Sequence, residues 1–333
     1  MKAVQIKKYS KDINCVLSDI PVPEISDSEV LIKVKAAAVN PLELLIITGS
    51  VKLIQDYPMP LTLGNECSGV VEKVGRDVKN FKKGDRVYTR LPLKKIGAFA
   101  EYVAVDYREI AKMPEGYDFT VAAAIPLTGL TAYQGITEEL EAKPGKTLLI
   151  PGGSGSFGQM AVPIAKELGI QVIVTGNERA RDQFLSMGAE QYIDYKKENY
   201  WEVLSEIDYV IDTLGAGEFE HELSVLKKGG RLLSLRTGPN KIFAEKNHIS
   251  GFKKVLFTLA GSKFDKAAKK RGKEYRFIFV HSNGEQLRKI TEIVEKNHIV
   301  PAIDPHLFNL EQANDALKLV AQGPINGKVI IKI

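Results

Sequence analysis

Residues 147–158 read Thr-Leu-Leu-Ile-Pro-Gly-Gly-Ser-Gly-Ser-Phe-Gly, four β-prone residues running into a glycine-rich turn. Phe157, Ala161, Ile164, Ala165 and Leu168 follow at helical spacing. Strand, tight turn and helix are the setting in which a Gly-x-Gly-x-x-Gly pattern (Gly153, Gly155, Gly158) binds a dinucleotide. Gly153 takes the turn's backbone angles, Gly155 lets a pyrophosphate approach the backbone, and Gly158 lets the helix pack close to the strand. The free N–H groups and positive end of the helix then face the phosphates. Gly153, Ser154, Gly155, Ser156, Phe157 and Gly158 are therefore the expected cofactor contacts. No Gly-Lys-Ser/Thr follows, which argues against a mononucleotide P-loop.

The next strand of this unit ends Val174-Thr175-Gly176-Asn177. A site for NAD places an acid there to take the ribose hydroxyls. Gly176 and Asn177 instead leave space, and Arg179 and Arg181 can pair with a 2′-phosphate, so NADPH is the expected cofactor. Glu178 is the counter-indication, because its carboxylate could take ribose hydroxyls and admit NADH.

Other chemistries find little support. No Ser-His-Asp order, paired-carboxylate spacing or reactive cysteine motif is present. The only cysteines are Cys15 and Cys67, too few for a disulfide framework or a four-cysteine metal lobe. Cys67 reads as a small buried apolar group. All five histidines lie late, at His221, His248, His281, His298 and His306, and His221-Glu222 does not continue into His-Glu-x-x-His.

These residues need elements to hold them. A chain of 333 residues suggests about two domains. Residues 1–122 read as mostly β, with runs at Val30–Val34, Gly69–Val74, Arg86–Tyr88 and Glu101–Val105 among turn-forming prolines and glycines. From residue 123 strands and helices alternate, with six strands at Thr147–Ile150, Gln171–Thr175, Gln191–Tyr195, Tyr209–Asp212, Arg231–Leu235 and Arg276–Val280. That rhythm predicts an α/β fold with a doubly wound parallel sheet over 123–280. The helical stretch before it is expected at Thr128–Glu141, and Pro163 is expected to kink the helix after the glycine turn. The tail predicts helices at Glu285–Lys296 and Leu310–Val320 and a strand at Lys328–Ile333. Since the parallel sheet is already complete, that strand should return to the first domain, made of residues 1–122 and 281–333.

The net charge of +5 demands no acidic partner. The N-terminus lacks a signal-peptide core, and no run approaches the ~18 apolar residues of a membrane span. A cytoplasmic protein without nucleic-acid or membrane partners is expected, and a homodimer is left open. The basic stretch 241–275 reads either as an anionic-ligand or nucleic-acid patch or as a solvated helix or loop. The lack of interleaved aromatics favours the latter.

Several motifs in order resemble the medium-chain dehydrogenase/reductase superfamily. Gly64-Asn65-Glu66-Cys67-Ser68-Gly69-Val70-Val71, Val74-Gly75 and Phe81-Lys82-Lys83-Gly84-Asp85-Arg86-Val87 resemble the signature of its GroES-like β domain. Ala38-Val39-Asn40-Pro41 resembles its zinc-free quinone oxidoreductase branch, and Ile125–Tyr133 resembles the helix joining its domains. The tail from Ser282 through Val300–Pro305 to Gly327–Ile330 is similar to the enone and quinone reductases related to plant enzymes that reduce alkenals and furanones.

The resemblance implies a Rossmann domain, a nicotinamide cofactor and hydride transfer in a cleft between two domains. It sets Asn40 and Asn65 where zinc-dependent members carry a cysteine and a histidine, and amides are poor zinc ligands. It implies that Asn40 and Thr131 lie near the nicotinamide ribose and help orient or polarise the acceptor, and that Tyr195 packs near the 2′-phosphate. Gly215, Ser234 and Leu235 are expected to border the nicotinamide. Lys52 and Tyr57 read as surface-loop residues that could line the substrate mouth. Without a Lewis acid the acceptor should be one that takes hydride easily, a quinone or an α,β-unsaturated ketone or aldehyde. The alternatives are a non-enzymatic relative that binds NADPH, as an RNA-binding or structural protein, and a reductase of saturated carbonyls.

Overall fold

The computed structural model describes residues 1–323 and 325–333. By internal packing the chain divides into two units, Met1–Leu130 with His281–Ile333, and Thr131–Val280.

The first unit opens with β1 (Lys2–Ile6), β2 (Val16–Asp19), β3 (Glu29–Val39), α1 (Pro41–Ile47), β4 (Leu61–Thr62), β5 (Glu66–Val74), β6 (Arg86–Arg90), β7 (Tyr102–Asp106), β8 (Ile110–Lys112) and α2 (Phe119–Ala123). β1 pairs antiparallel with β2 and β4 in a small sheet. β3 is longer than its hydrophobic run suggested, because it continues through Ala36, Ala37 and Ala38. Alanine is a poor strand former. Here its small size lets α2 pack on the sheet, with Ala36, Ala38, Ala123, Ala124 and Ile330 in one buried cluster.

From α3 (Pro126–Gln134) the chain passes into the second unit: β9 (Thr147–Ile150), α4 (Ser156–Glu167), β10 (Gln171–Gly176), α5 (Arg181–Met187), β11 (Gln191–Asp194), α6 (Tyr200–Val203), β12 (Ile207–Asp212), α7 (Phe219–Val225), β13 (Leu226–Ser234), α8 (Lys241–Lys246), α9 (Gly251–Lys270) and β14 (Glu274–Phe277). The six strands form one parallel sheet in the order β11-β10-β9-β12-β13-β14. This is the doubly wound order, whose reversal beside β9 puts a ligand crevice at the carboxyl ends of the central strands. The helix expected at Thr128–Glu141 is instead α3 followed by a π-helical turn over Gly135–Glu139. At Gly135 a Cβ would meet Leu233 at 2.9 Å, so this segment lies close against the sheet.

The tail returns to the first unit as α10 (Gly284–Lys296), β15 (Ile303–Phe308), α11 (Ala313–Gln322) and β16 (Lys328–Lys332). β16 pairs antiparallel with β3, Val329 opposite Val39, and joins a seven-stranded sheet ordered β15-β16-β3-β5-β6-β8, with β7 also on β3. This register carries Lys328, one residue before the Val329–Val39 pair, to the end of β3 where Asn40 begins α1. No helix among the described residues is long and apolar enough to cross a membrane.

Candidate functional site

The glycine turn joins β9 to α4. Gly152, rather than Gly153, holds the left-handed conformation (φ +65°), so the turn's angles are met one residue earlier than expected. Gly153 is glycine for space, since a Cβ there would lie 2.8 Å from Ile150 Cγ2. Gly158 is tighter: its Cβ would stand 1.7 Å from the Gly153 carbonyl oxygen, so the first turn of α4 folds onto the loop rather than onto the strand. Gly155 differs in kind. A Cβ there meets nothing within 4 Å, and Gly155 is the N-cap of α4 with no side chain capping the helix. Open space over uncapped N–H groups at a helix N-terminus suits a pyrophosphate. Ser154, Ser156 and Phe157 belong to this turn and the first turn of α4. α4 runs unbroken through Pro163, in place of the interruption that proline suggested.

β10 ends at Gly176 beside the turn, where a Cβ would lie 2.5 Å from Ser154 Cβ and 2.1 Å from Tyr192 Oη. Asn177 caps the following 3₁₀ turn by accepting from Arg179 N at 3.0 Å. An open depression lies beyond, lined by Glu178, Arg181, Tyr192, Asp194 and Lys197 among others. Arg181 faces it while donating from Nη1 to the Tyr192 carbonyl at 3.0 Å. Glu178 is held by Lys197 at 2.8 Å, which sequence reasoning missed because the lysine lies nineteen residues away on another loop. Tyr195 is exposed just after β11. Arg179 does not line the depression.

Asp212 organises the ends of β12 and β13. It accepts from Leu214 N at 2.8 Å, Gly215 N at 2.6 Å, Ser234 Oγ at 2.5 Å and Thr237 Oγ1 at 3.2 Å. Gly215, at φ +100°, makes the turn that aims its N–H back at the carboxylate. Leu235 follows, its N–H donating to the Asp212 carbonyl at 3.0 Å. Gly215, Ser234 and Leu235 thus share one rigid edge. Glu222 is fully buried beside Asp212, where a carboxylate would find no donor. Burial first, then the charge of Asp212, pushes it up to about 10, so it is protonated at neutral pH.

Asn40 and Thr131 fall in different units, Thr131 within α3. Asn40 sits in a buried polar network that no spacing in the sequence revealed. Its Nδ2 donates to Glu66 Oε1 at 2.9 Å, and its Oδ1 accepts from the Lys328 ammonium. Lys328 also pairs with Glu66 Oε1 at 2.9 Å, and Leu127 N donates to Glu66 Oε2 at 2.7 Å. Beside them Glu43 accepts from Asn40 N at 2.7 Å, Asn65 N at 3.0 Å and Asn65 Nδ2 at 2.6 Å. Burial outweighs those donors and raises Glu43 to about 7. Arg90, directly across from Glu66 in the β5–β6 register, is fully buried with Nε and Nη2 unpartnered. Burial brings its guanidinium down to about 10, which leaves it charged at neutral pH. The hydroxyl of Tyr57 and Oδ1 of Asn65 are also buried without partners. Tyr57 is therefore an interior residue rather than the surface-loop residue expected, whereas Lys52 is exposed.

Zinc does not fit this donor set. The two asparagines offer amides, and a lysine ammonium already occupies the Asn40 oxygen, where a divalent cation would meet a like charge. Cys67 is fully buried, its thiol pushed up to about 12, and no group of three His, Cys, Asp or Glu among the described residues could hold a metal ion.

Comparison with known proteins agrees with this architecture. Residues 26–115 match the family described as alcohol dehydrogenase GroES-like domain, and residues 187–331 match that described as zinc-binding dehydrogenase. The chain is 34% identical to the 2-methylene-furan-3-one reductase of Solanum lycopersicum and 32% identical to the chloroplastic NADPH-dependent alkenal/one oxidoreductase of Arabidopsis thaliana. Each alignment covers 99% of this chain and 79% of the relative. The solved structure of the quinone oxidoreductase from Coxiella burnetii superposes with a TM-score of 0.82 at 29% identity, covering 100% of this chain and 99% of that one.

Proposed function

This chain belongs to the medium-chain dehydrogenase/reductase superfamily, in its zinc-free quinone oxidoreductase branch, and we propose that it is an NADPH-dependent, zinc-independent reductase of quinones or of α,β-unsaturated ketones and aldehydes. The observation that carries the cofactor part is the open, uncapped turn at Gly155 above a doubly wound sheet. The acceptor class follows the substrates named for its relatives.

The residues divide the work. Thr131–Val280 form the NADPH-binding domain and Met1–Leu130 with His281–Ile333 the substrate domain, so residues 123–130, expected in the former, pack in the latter. The backbone from Gly153 to Gly158 takes the pyrophosphate. The depression beside Asn177 takes the adenosine ribose, whose 2′-phosphate meets Arg181, while Gly176 lets β10 close on Ser154 and Tyr192. Lys197 neutralises Glu178, which removes the carboxylate that would favour NADH. Gly215, Ser234 and Leu235 border the nicotinamide. The bound cofactor supplies hydride, so the protein's task is to orient the acceptor and stabilise the charge that develops on its oxygen. Asn40 and Thr131 do the orienting. Asn40 acts as part of the network that fixes its amide, because Glu66 and Lys328 already hold both ends.

Purified protein should oxidise NADPH with at least one member of a panel of quinones and alkenals, with kcat/KM higher for NADPH than for NADH. Asn40→Ala and Thr131→Ala should stay folded and lose about tenfold in kcat/KM, less than the ~10²-fold seen when a donor to developing charge is removed. NADPH oxidation with no panel member would return the protein to the binding-only reading, and a preference for NADH would refute the 2′-phosphate assignment.

A further inference from the structure

The segment 241–275 holds ten of the 46 Lys and Arg residues and three of the 41 Asp and Glu, an excess of seven in a chain whose net charge is +5. The other 298 residues together are therefore net −2. α9, the twenty-residue helix in this segment, is ~30 Å long and has two faces.

Phe257, Gly261, Phe264 and Ala268 are buried on one side. Phe264 meets Phe219 edge to face at 4.8 Å. At Gly261 the helix touches the loop at Asn240, where a Cβ would lie 2.4 Å from Asn240 Cβ. Asn240 Nδ2 donates to Asp265 at 2.7 Å and to the Tyr275 carbonyl at 3.0 Å. The helix is therefore docked on its own unit and its outward face is fixed.

That outward face carries Phe252, Val255 and Leu259, which are 75%, 54% and 65% exposed. At 100° per residue they fall on one stripe, which Lys263, Lys266 and Lys270 continue within about 80° of arc. Lys253, Lys266, Lys269 and Lys270 have no carboxylate partner among the described residues, and neither has Lys263, whose Nζ lies 4.6 Å from the centre of the Phe264 ring. By contrast, Lys246, Lys254 and Arg271 are paired with Glu139, Glu245 and Glu220. Three large apolar side chains in water, next to ammonium groups that no carboxylate holds, suit a surface that offers both apolar chains and phosphates.

We propose that the outward face of α9 docks this protein on an anionic lipid bilayer, Phe252, Val255 and Leu259 entering the headgroup–acyl boundary and Lys263, Lys266, Lys269 and Lys270 meeting lipid phosphates. Charge complementarity selects this occupant. A second copy of the chain would bring two excesses of seven positive charges together, and a nucleic acid would leave the aliphatic part of the stripe in water. The sequence alone pointed to a solvated helix and no membrane partner, because it does not reveal which apolar residues of α9 face outward.

The test is cosedimentation of the whole protein with vesicles of phosphatidylcholine alone and with about one third phosphatidylglycerol. The protein should bind the anionic vesicles and be released as salt rises to ~0.5 M, where screening is short-ranged. Phe252→Ser with Leu259→Ser, and separately Lys263→Glu with Lys266→Glu and Lys270→Glu, should each lower binding more than tenfold at an unchanged thermal midpoint. No binding to the anionic vesicles, equal binding to both compositions, or variants that bind like wild type would overturn the proposal. A wild-type dimer that the Phe252/Leu259 variant dissociates, with no vesicle binding, would overturn it in favour of a second copy.

Discussion

At the scale of single residues, the buried carboxyl groups set how stability answers to substitution and to pH. Glu66 lies in the interior with Lys328 as its ammonium partner, and Asn40 and Leu127 complete its shell. Removing one member of a buried ion pair costs about 3–5 kcal/mol, because the other charge is left uncompensated. Lys328→Met should lower the unfolding free energy from urea curves by that much, and adding Glu66→Gln should recover part of the loss; a single-variant cost under ~1 kcal/mol would mean that water already solvates Glu66. Glu222 makes the opposite kind of contribution. Its folded value of about 10 lies far above the ordinary carboxylate range, so from about pH 5 to 10 the folded protein holds a proton that the unfolded chain has released. Stability therefore falls as pH rises through that window, by at most ~1.4 kcal/mol per pH unit. Glu222→Gln cannot ionise, so its stability relative to wild type should improve between pH 6 and pH 9 in paired denaturation curves. A constant difference would mean that Glu222 is already ionised when folded. Glu43, raised to about 7, adds a similar fall confined to the acid side of neutrality.

At the scale of elements, the turn between β9 and α4 separates packing from binding. Gly158→Ala should disrupt the loop itself, since its Cβ would overlap the Gly153 carbonyl oxygen at 1.7 Å. Gly155→Ala should leave the thermal midpoint near that of wild type while weakening NADPH binding by tenfold or more, because only a ligand would occupy the space its methyl enters. Unchanged affinity in a folded Gly155→Ala protein would take the pyrophosphate elsewhere. This turn was legible because its chemistry is local: strand, glycines and helix are contiguous, and the five strands that follow each announce themselves in a short run of their own. The return of β16 was legible by elimination, the parallel sheet being full. The network around Glu66 was not, because Asn40, Glu66, Arg90 and Lys328 come from four segments joined only by strand register. The Glu178–Lys197 pair was hidden for the same reason. Ala36–Ala38 misled in the other direction, since a poor strand former proved to be a strand selected for the closeness of α2.

At the scale of the whole molecule, positive charge gathers on one segment of the unit Thr131–Val280, and the buried polar network lies in the other unit. Ligand linkage should reflect that division. A ligand that binds only the folded state stabilises it by about 2.7 kcal/mol at a hundred times its Kd. For a cooperative unit of the 150 residues from Thr131 to Val280, that corresponds to a rise of roughly 5–10 °C in thermal midpoint. NADPH should produce such a rise, and NADH at the same concentration a smaller one, because Arg181 offers charge to a 2′-phosphate that NADH lacks. Zinc should give no comparable rise, since the Asn40 oxygen and Glu66 Oε1 are already held by the Lys328 ammonium. Chelators should accordingly leave both the midpoint and the turnover unchanged. A midpoint raised by stoichiometric zinc, or activity lost to a chelator and restored by zinc, would require Lys328 to leave Asn40 and would overturn the zinc-independent reading while leaving the NADPH assignment standing.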